Sequence, residues 1–217
     1  MPSQSTSSPL VYIPQQGKPQ LLFVLLHGEN AEPAQMQPLA LAIKQNFPSA
    51  MLIVPHVVDH TQQAVQTVIS HIRHWQAMYA LDGQQTALAG FSQAASLVLD
   101  ACHERHDLAG RALLFSGVYR QLPATAAPFT LMHFLHGDND TQVSSGHLKA
   151  ILQHLSGIDA DATADIASGV GHELHPALIE QALIRLKTCV PLRTWQQAMS
   201  ELNAKDDKIS SNPPSVH

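Results

Sequence analysis

Three side chains of this sequence stand where they could act together: a serine hydroxyl, an imidazole and a carboxylate, each where an apolar run gives way to a turn. The serine is Ser92, in Ala89-Gly90-Phe91-Ser92-Gln93-Ala94-Ala95. Upstream, Thr86-Ala87-Leu88-Ala89 reads as a short buried strand. Downstream, Gln93 to His103 is rich in Ala and Leu and lacks a helix breaker. A serine at such a junction occupies a sharp strand-to-helix turn, the geometry of a nucleophile elbow. The turn brings its flanks close together, so small residues are required two positions to either side. Gly90 meets that requirement, and Ala94 stands where glycine is usual. A serine hydroxyl is a poor nucleophile at neutral pH. It needs a histidine to take its proton and a carboxylate to hold that histidine in the right tautomer.

Both partners follow further along the chain. After the apolar run Leu131 to Leu135 comes His136-Gly137-Asp138-Asn139-Asp140-Thr141-Gln142-Val143, a polar loop with two aspartates leading into a helix. Asp140 is assigned as the acid. Asp138 is its competitor, and either aspartate could instead cap a helix or form a turn. Gly169-Val170-Gly171-His172-Glu173 then presents a glycine-flanked histidine, His172, as the base, with His175 as its competitor. Serine, acid, histidine is the chain order of an α/β-hydrolase, whose catalytic loops lie at the carboxyl ends of parallel strands. Near the amino end, Leu25-Leu26-His27-Gly28-Glu29-Asn30 closes another apolar run. Hydrolases of this order place one oxyanion-hole N–H in that loop and the other on the residue after the nucleophile, here Gln93. His27 is read as structural.

The elements that must position these groups alternate in a regular way. Leu21 to Leu26 and Met51 to Val54 read as buried strands, with Val11-Tyr12-Ile13 as an edge strand. Helical spacing of apolar residues runs from Pro33 to Asn46 and from Thr61 to Tyr79. Beyond the serine, Ala112 to Phe115, Leu131 to Leu135 and a weaker run around Asp161 to Ala167 read as strands. Ser144 to Leu155 and Pro176 to Lys187 read as helices. Such alternation implies an α/β fold, a mainly parallel sheet covered on both faces.

Composition narrows the remaining choices. A chain of 217 residues suits one domain, expected over residues 10–200, with flexible tails at 1–9 and 201–217. With 12 basic against 17 acidic residues the net charge is -5, which argues against a nucleic-acid surface. No apolar run is long enough to span a bilayer and the first residues lack a signal-peptide core, so a cytoplasmic location with no membrane partner is expected. Cys102 and Cys189 are expected as free thiols. Fourteen histidines invite a metal reading through pairs such as His56/His60, His71/His74, His103/His106 and His172/His175. No HExxH or Cys/His cluster accompanies them, so no metal is expected.

The Leu-Leu-His-Gly strand end, Gly90-Phe91-Ser92-Gln93, His136-Gly137 with Asp140, and Gly171-His172 together resemble the bacterial carboxylesterases of the phospholipase/carboxylesterase family, which includes the acyl-protein thioesterases. The likeness runs from about Leu21 to Lys187, and Gly-Phe-Ser-Gln is its most specific part. It implies a single-domain α/β-hydrolase fold and a triad of Ser92, His172 and Asp140. It also implies oxyanion donors on the backbone N–H groups of Glu29 and Gln93, and hydrolysis of carboxylic or thiol esters without metal or cofactor. The expected substrate is a small-molecule ester with a short or flexible acyl chain, because no long insertion supplies a large lid. A homodimer stays open. The chain departs from the family at Gly28-Glu29-Asn30-Ala31, where relatives carry Gly-Xaa-Gly-Asp, at Ala94, and in a short segment after Val54. These departures keep a second reading in view, a hydrolase-like binding protein with impaired catalysis, and a third, a thioesterase using the same triad.

Overall fold

Seven strands and five helices take up the alternation, in a computed structural model that describes residues 9–14, 17–56, 62–119 and 121–188. In chain order they are β1 (Leu10–Tyr12), β2 (Leu21–Leu26), α1 (Gln37–Asn46), β3 (Ala50–Val54), α2 (Gln62–Tyr79), β4 (Thr86–Phe91), α3 (Gln93–Glu104), β5 (Arg111–Phe115), β6 (Leu131–Gly137), α4 (Ser145–Gly157), β7 (Ala162–Ala167) and α5 (Pro176–Thr188). The strands form one sheet in the order β1-β3-β2-β4-β5-β6-β7, and only β1 runs antiparallel to its neighbour.

The apolar runs are continuous because both faces of the sheet are covered. Leu22, Val24 and Leu26 of β2 pack with α2, α3 and α4 on one face, while Phe23 and Leu25 pack with α1 and α5 on the other. Strand residues point alternately to the two sides, so one six-residue run feeds two separate cores. In α2 the buried Val65, Val68, Ile69 and Ile72 form the expected stripe, with Gln63, Gln66 and Ser70 turned to solvent.

Element ends differ from the sequence reading at several places, and at three of them the physical cause is plain. The helix expected from Pro33 is split into a 3-10 turn over Pro33–Met36 followed by α1. Pro38 explains the break: in one continuous α-helix its missing N–H would leave the Ala34 carbonyl without a donor, and here the Gln37 N–H serves that carbonyl instead. β4 runs on to Phe91 because neighbours flank it to its end, Gly90 pairing with Leu26 and Leu114, and Phe91 with Phe115. β6 likewise reaches Gly137, carried along by His136↔Ile166 and Gly137↔Ala167 of β7.

This topology fixes where a site can lie. From β2 the chain goes to β3 on one side of the sheet, and β4 lies on the other side of β2. The carboxyl ends of β2 and β4 thus border the crevice in which α/β sheets bind their ligands. A cleft of about 640 Å³ lined by Leu41, Lys44, Pro48 and Ala50 lies at the amino end of β3, the opposite pole. Among the described residues no helix is long and apolar enough to cross a membrane. Cys102 is a buried free thiol, its pKa pushed up to about 12 by burial, and Cys189 falls outside the described residues.

Candidate active site

β4 runs directly into α3 through one residue, Ser92, at φ 57° and ψ −122°. Residues with a Cβ rarely adopt this backbone, and it holds because the surroundings fix it. The Ser92 N–H donates to the Phe115 carbonyl at 2.9 Å, and its own carbonyl accepts from Ala95 at 3.1 Å and Val118 at 3.3 Å. The steric argument for Gly90 is met on the backbone itself: a Cβ there would lie 2.5 Å from the carbonyl oxygen of Ala94. Ala94 is fully buried and fits beneath the elbow without glycine.

His172 and Asp140 arrive from the ends of β7 and β6. His172 Nε2 lies 3.0 Å from Ser92 Oγ, and His172 Nδ1 lies 2.7 Å from Asp140 Oδ2. The imidazole side chain is 9% exposed and the carboxylate 0%, and the ring packs on Phe91 with centroids 5.0 Å apart. Asp140 Oδ1 accepts the N–H groups of Gln142 and Val143, each at 2.9 Å. Burial pushes this carboxyl's pKa up. The hydrogen bonds from Val143, His172 and Gln142 outweigh that and hold it below the ordinary carboxylate value. A charged Asp140 accepting from Nδ1 fixes the proton there and leaves Nε2 with its lone pair toward the serine.

The two competitors have other work. Asp138 Oδ2 accepts from the Ser168 hydroxyl at 2.9 Å and Oδ1 from the Gly169 N–H, so it laces the acid loop to the histidine loop. The same two loops meet at Gly137, where a Cβ would lie 2.1 Å from the Val170 carbonyl oxygen. His175 Nδ1 accepts the Ala177 N–H at 3.2 Å and caps the start of α5. His27 is fully buried, its Nδ1 hydrogen-bonded to the Gly28 carbonyl at 2.9 Å, as suits its structural reading.

The loop after β2 absorbs its sequence departures. Residues 28–31 form a turn closed by Ala31 N–H to Gly28 O at 3.2 Å, with Asn30 at φ 58°. Asparagine tolerates that left-handed backbone better than other residues with a side chain, so the turn forms without a glycine at this position. The Glu29 side chain is exposed. Gln35 Oε1 accepts the Gly28 N–H at 2.8 Å and pins the loop beside Phe91.

Two contributions escaped the sequence reading. His136 Nε2 donates to the Val143 carbonyl at 2.8 Å and steadies the residue whose N–H supports Asp140. The signal available in the sequence is a second histidine near the end of a largely apolar strand. The sequence assigns a role only to the backbone of Gln93, yet its side-chain Oε1 accepts the Ser92 hydroxyl at 2.7 Å. Among the described residues no group of three or more His, Cys, Asp or Glu could hold a metal ion.

A doubly covered, mostly parallel sheet with a strained serine between β4 and α3 defines an α/β-hydrolase. More narrowly, the chain belongs to the Phospholipase/Carboxylesterase family, whose model matches residues 57–190. It is 28% identical over 213 residues to esterase YpfH of Escherichia coli (strain K12), covering 88% of this chain and 92% of that protein. Among solved structures, esterase PE8 superposes with a TM-score of 0.72 at 21% identity, over 83% of this chain and 97% of that one. The Bacillus cereus carboxylesterase does so with a TM-score of 0.67 at 16% identity, over 84% and 94%. The protein is a hydrolase of the serine esterase class.

Proposed function

We propose that the protein is a carboxylesterase acting through Ser92, His172 and Asp140 by way of an acyl-enzyme, on small esters with short or flexible acyl chains. The observation that carries this is the line Ser92 Oγ, 3.0 Å to His172 Nε2, with Nδ1 2.7 Å from Asp140 Oδ2. Ser92 Oγ attacks the ester carbonyl carbon and its proton passes to His172 Nε2. Asp140 steadies the resulting imidazolium. The carbonyl oxygen, now an alkoxide, is held by the N–H groups of Glu29 and Gln93. Gln93 opens α3, where an amide has no intrahelical acceptor and the helix dipole favours negative charge. The C–O bond to the alcohol breaks, and that oxygen leaves with the proton from Nε2. Water then gives a proton to His172 and attacks the acyl carbon, releasing the acid and restoring the serine.

Three features favour an active enzyme over an impaired binding module. The Glu29 carboxylate is exposed, Asn30 adopts the left-handed conformation its position requires, and Ala94 packs without displacing the elbow. Short links supply the site: seven residues join β6 to α4 and eight join β7 to α5, which suits a cleft without a large lid.

The test is a fluorophosphonate probe with mass mapping, beside hydrolysis of p-nitrophenyl acetate and butyrate. Wild type takes up one adduct, on Ser92, and Ser92→Ala loses both labelling and turnover. A folded sample with no adduct on Ser92 ends the proposal. A matched panel of oxygen and thiol esters of graded chain length then fixes the substrate class.

A further inference from the structure

Ser92 Oγ has one proton and two neighbours that both accept. Gln93 Oε1 lies 2.7 Å away, in the normal range for an O–H···O bond, and His172 Nε2 lies 3.0 Å away. Because Nδ1 of His172 is committed to Asp140, Nε2 has a lone pair and no proton to offer. The serine hydroxyl can satisfy only one acceptor at a time, and the shorter contact is to the glutamine. Ser92 is only 5% exposed, with the half-buried Gln93 beside it.

We propose that the Gln93 carboxamide caps the resting nucleophile, holding the Ser92 proton away from His172 until it is displaced. This rests on the triad reading above and concerns the side chain of a residue whose backbone N–H that reading already uses. Rotation about the Ser92 Cβ–Oγ bond swings the O–H from Oε1 to Nε2. Only then can the Oγ–H bond break toward the imidazole as the Oγ–carbon bond forms. The fraction of enzyme in the uncapped arrangement scales the rate at which any acylating reagent is attacked.

Removing the Gln93 acceptor takes one hydrogen bond from the capped, inactive arrangement and speeds the approach to the active one. A net hydrogen bond of about 1 kcal/mol corresponds to about fivefold in rate. A carboxamide turned the other way, donating N–H to Oγ, would aim the serine proton at His172, and its loss would slow the enzyme.

The sign of the change therefore decides. Gln93→Met keeps the length and the backbone N–H but removes the acceptor, and Gln93→Asn keeps a carboxamide too short to reach. Inactivation by a small fluorophosphonate at pH 7.5, followed as mass on Ser92, reads the free enzyme. Both variants are expected to react about fivefold faster than wild type, with unfolding midpoints like wild type. Equal or slower reaction of either folded variant overturns the cap. If instead Ser92→Ala retains full ester turnover and no adduct maps to Ser92, the triad reading fails and the cap falls with it. A labelled Ser92 with slower Gln93 variants removes the cap alone.

Discussion

Replacing Asp140 by asparagine exchanges one oxygen for an amide nitrogen, and the surrounding donors dictate which one. Oδ1 receives two backbone N–H groups, from Gln142 and Val143 at 2.9 Å each. Setting an amide NH₂ there would face donors with a donor and leave both backbone N–H groups without their acceptor, the buried one of Val143 at a cost of about 1–3 kcal/mol. The asparagine carbonyl therefore stays on those two groups, and its NH₂ takes the place of Oδ2, 2.7 Å from His172 Nδ1. Nδ1 must then accept, the ring proton moves to Nε2, and Nε2 donates to Ser92 Oγ rather than accepting from it. This is the tautomer fault that lowers kcat by about 10⁴ in the serine-protease triad, equivalent to about 5.5 kcal/mol of barrier. Asp140→Asn is expected to lose about 10³- to 10⁴-fold in kcat on p-nitrophenyl butyrate at pH 7.5 while keeping its fold by circular dichroism. Asp138→Asn is the control: its partners are Ser168 and Gly169 and it makes no hydrogen bond to His172, so a loss of less than about tenfold is expected. A folded Asp140→Asn variant within tenfold of wild type, or a larger loss from Asp138→Asn, refutes the assignment.

Other consequences follow from strain and titration. The backbone of Ser92, at φ 57° and ψ −122°, suits glycine; relief of about 1–3 kcal/mol of strain, less glycine's greater chain entropy, leaves about 1 kcal/mol. Ser92→Gly should thus melt about 2–4 °C above Ser92→Ala, both inactive, and equal melting temperatures would remove the claim of strain. His133 is wholly buried in β6, and burial together with Arg111 and Arg185 lowers its pKa to about 4. The unfolded chain takes up this proton at about pH 6.5, so stability is intact above that and falls by up to roughly 3 kcal/mol as pH drops toward 4. His133→Met should flatten that fall, read by urea unfolding at pH 7 and 4.5, and an unchanged slope would count against it. The depressed Asp140 pKa acts lower down. Its stabilisation is whole above about pH 4 and is lost as pH falls through the native value, so Asp140→Asn should show a shallower acid-unfolding limb.

What could be read from the sequence was what depends on neighbours in the chain. The sheet and its helices were legible because burial on two faces demands continuous apolar runs and burial on one demands a helical stripe, as in Leu21–Leu26 and Gln62–Tyr79. Ser92 was legible because the tight elbow restricts residues two positions away, and the Gly90 contact with the Ala94 carbonyl is that restriction in space. Strand ends were less so: Phe91 and Gly137 belong to strands because partners run beside them, which their own sequence does not encode.

Tertiary structure alone decided how the polar groups divide their work. Asp138 and Asp140 share one loop, and nothing local separates them. The fold brings Ser168 and Gly169 to the first and His172 to the second. His172 and His175 were separated in the same way, one turned to a hydroxyl 80 residues away and the other to the head of α5. Hydrogen bonds are short and directional, so the role of a polar side chain depends on which distant donors or acceptors come within about 3 Å of it. Burial patterns tolerate far more displacement, and for that reason this sequence carried its fold openly while leaving the partners of its polar side chains to be set by the folded chain.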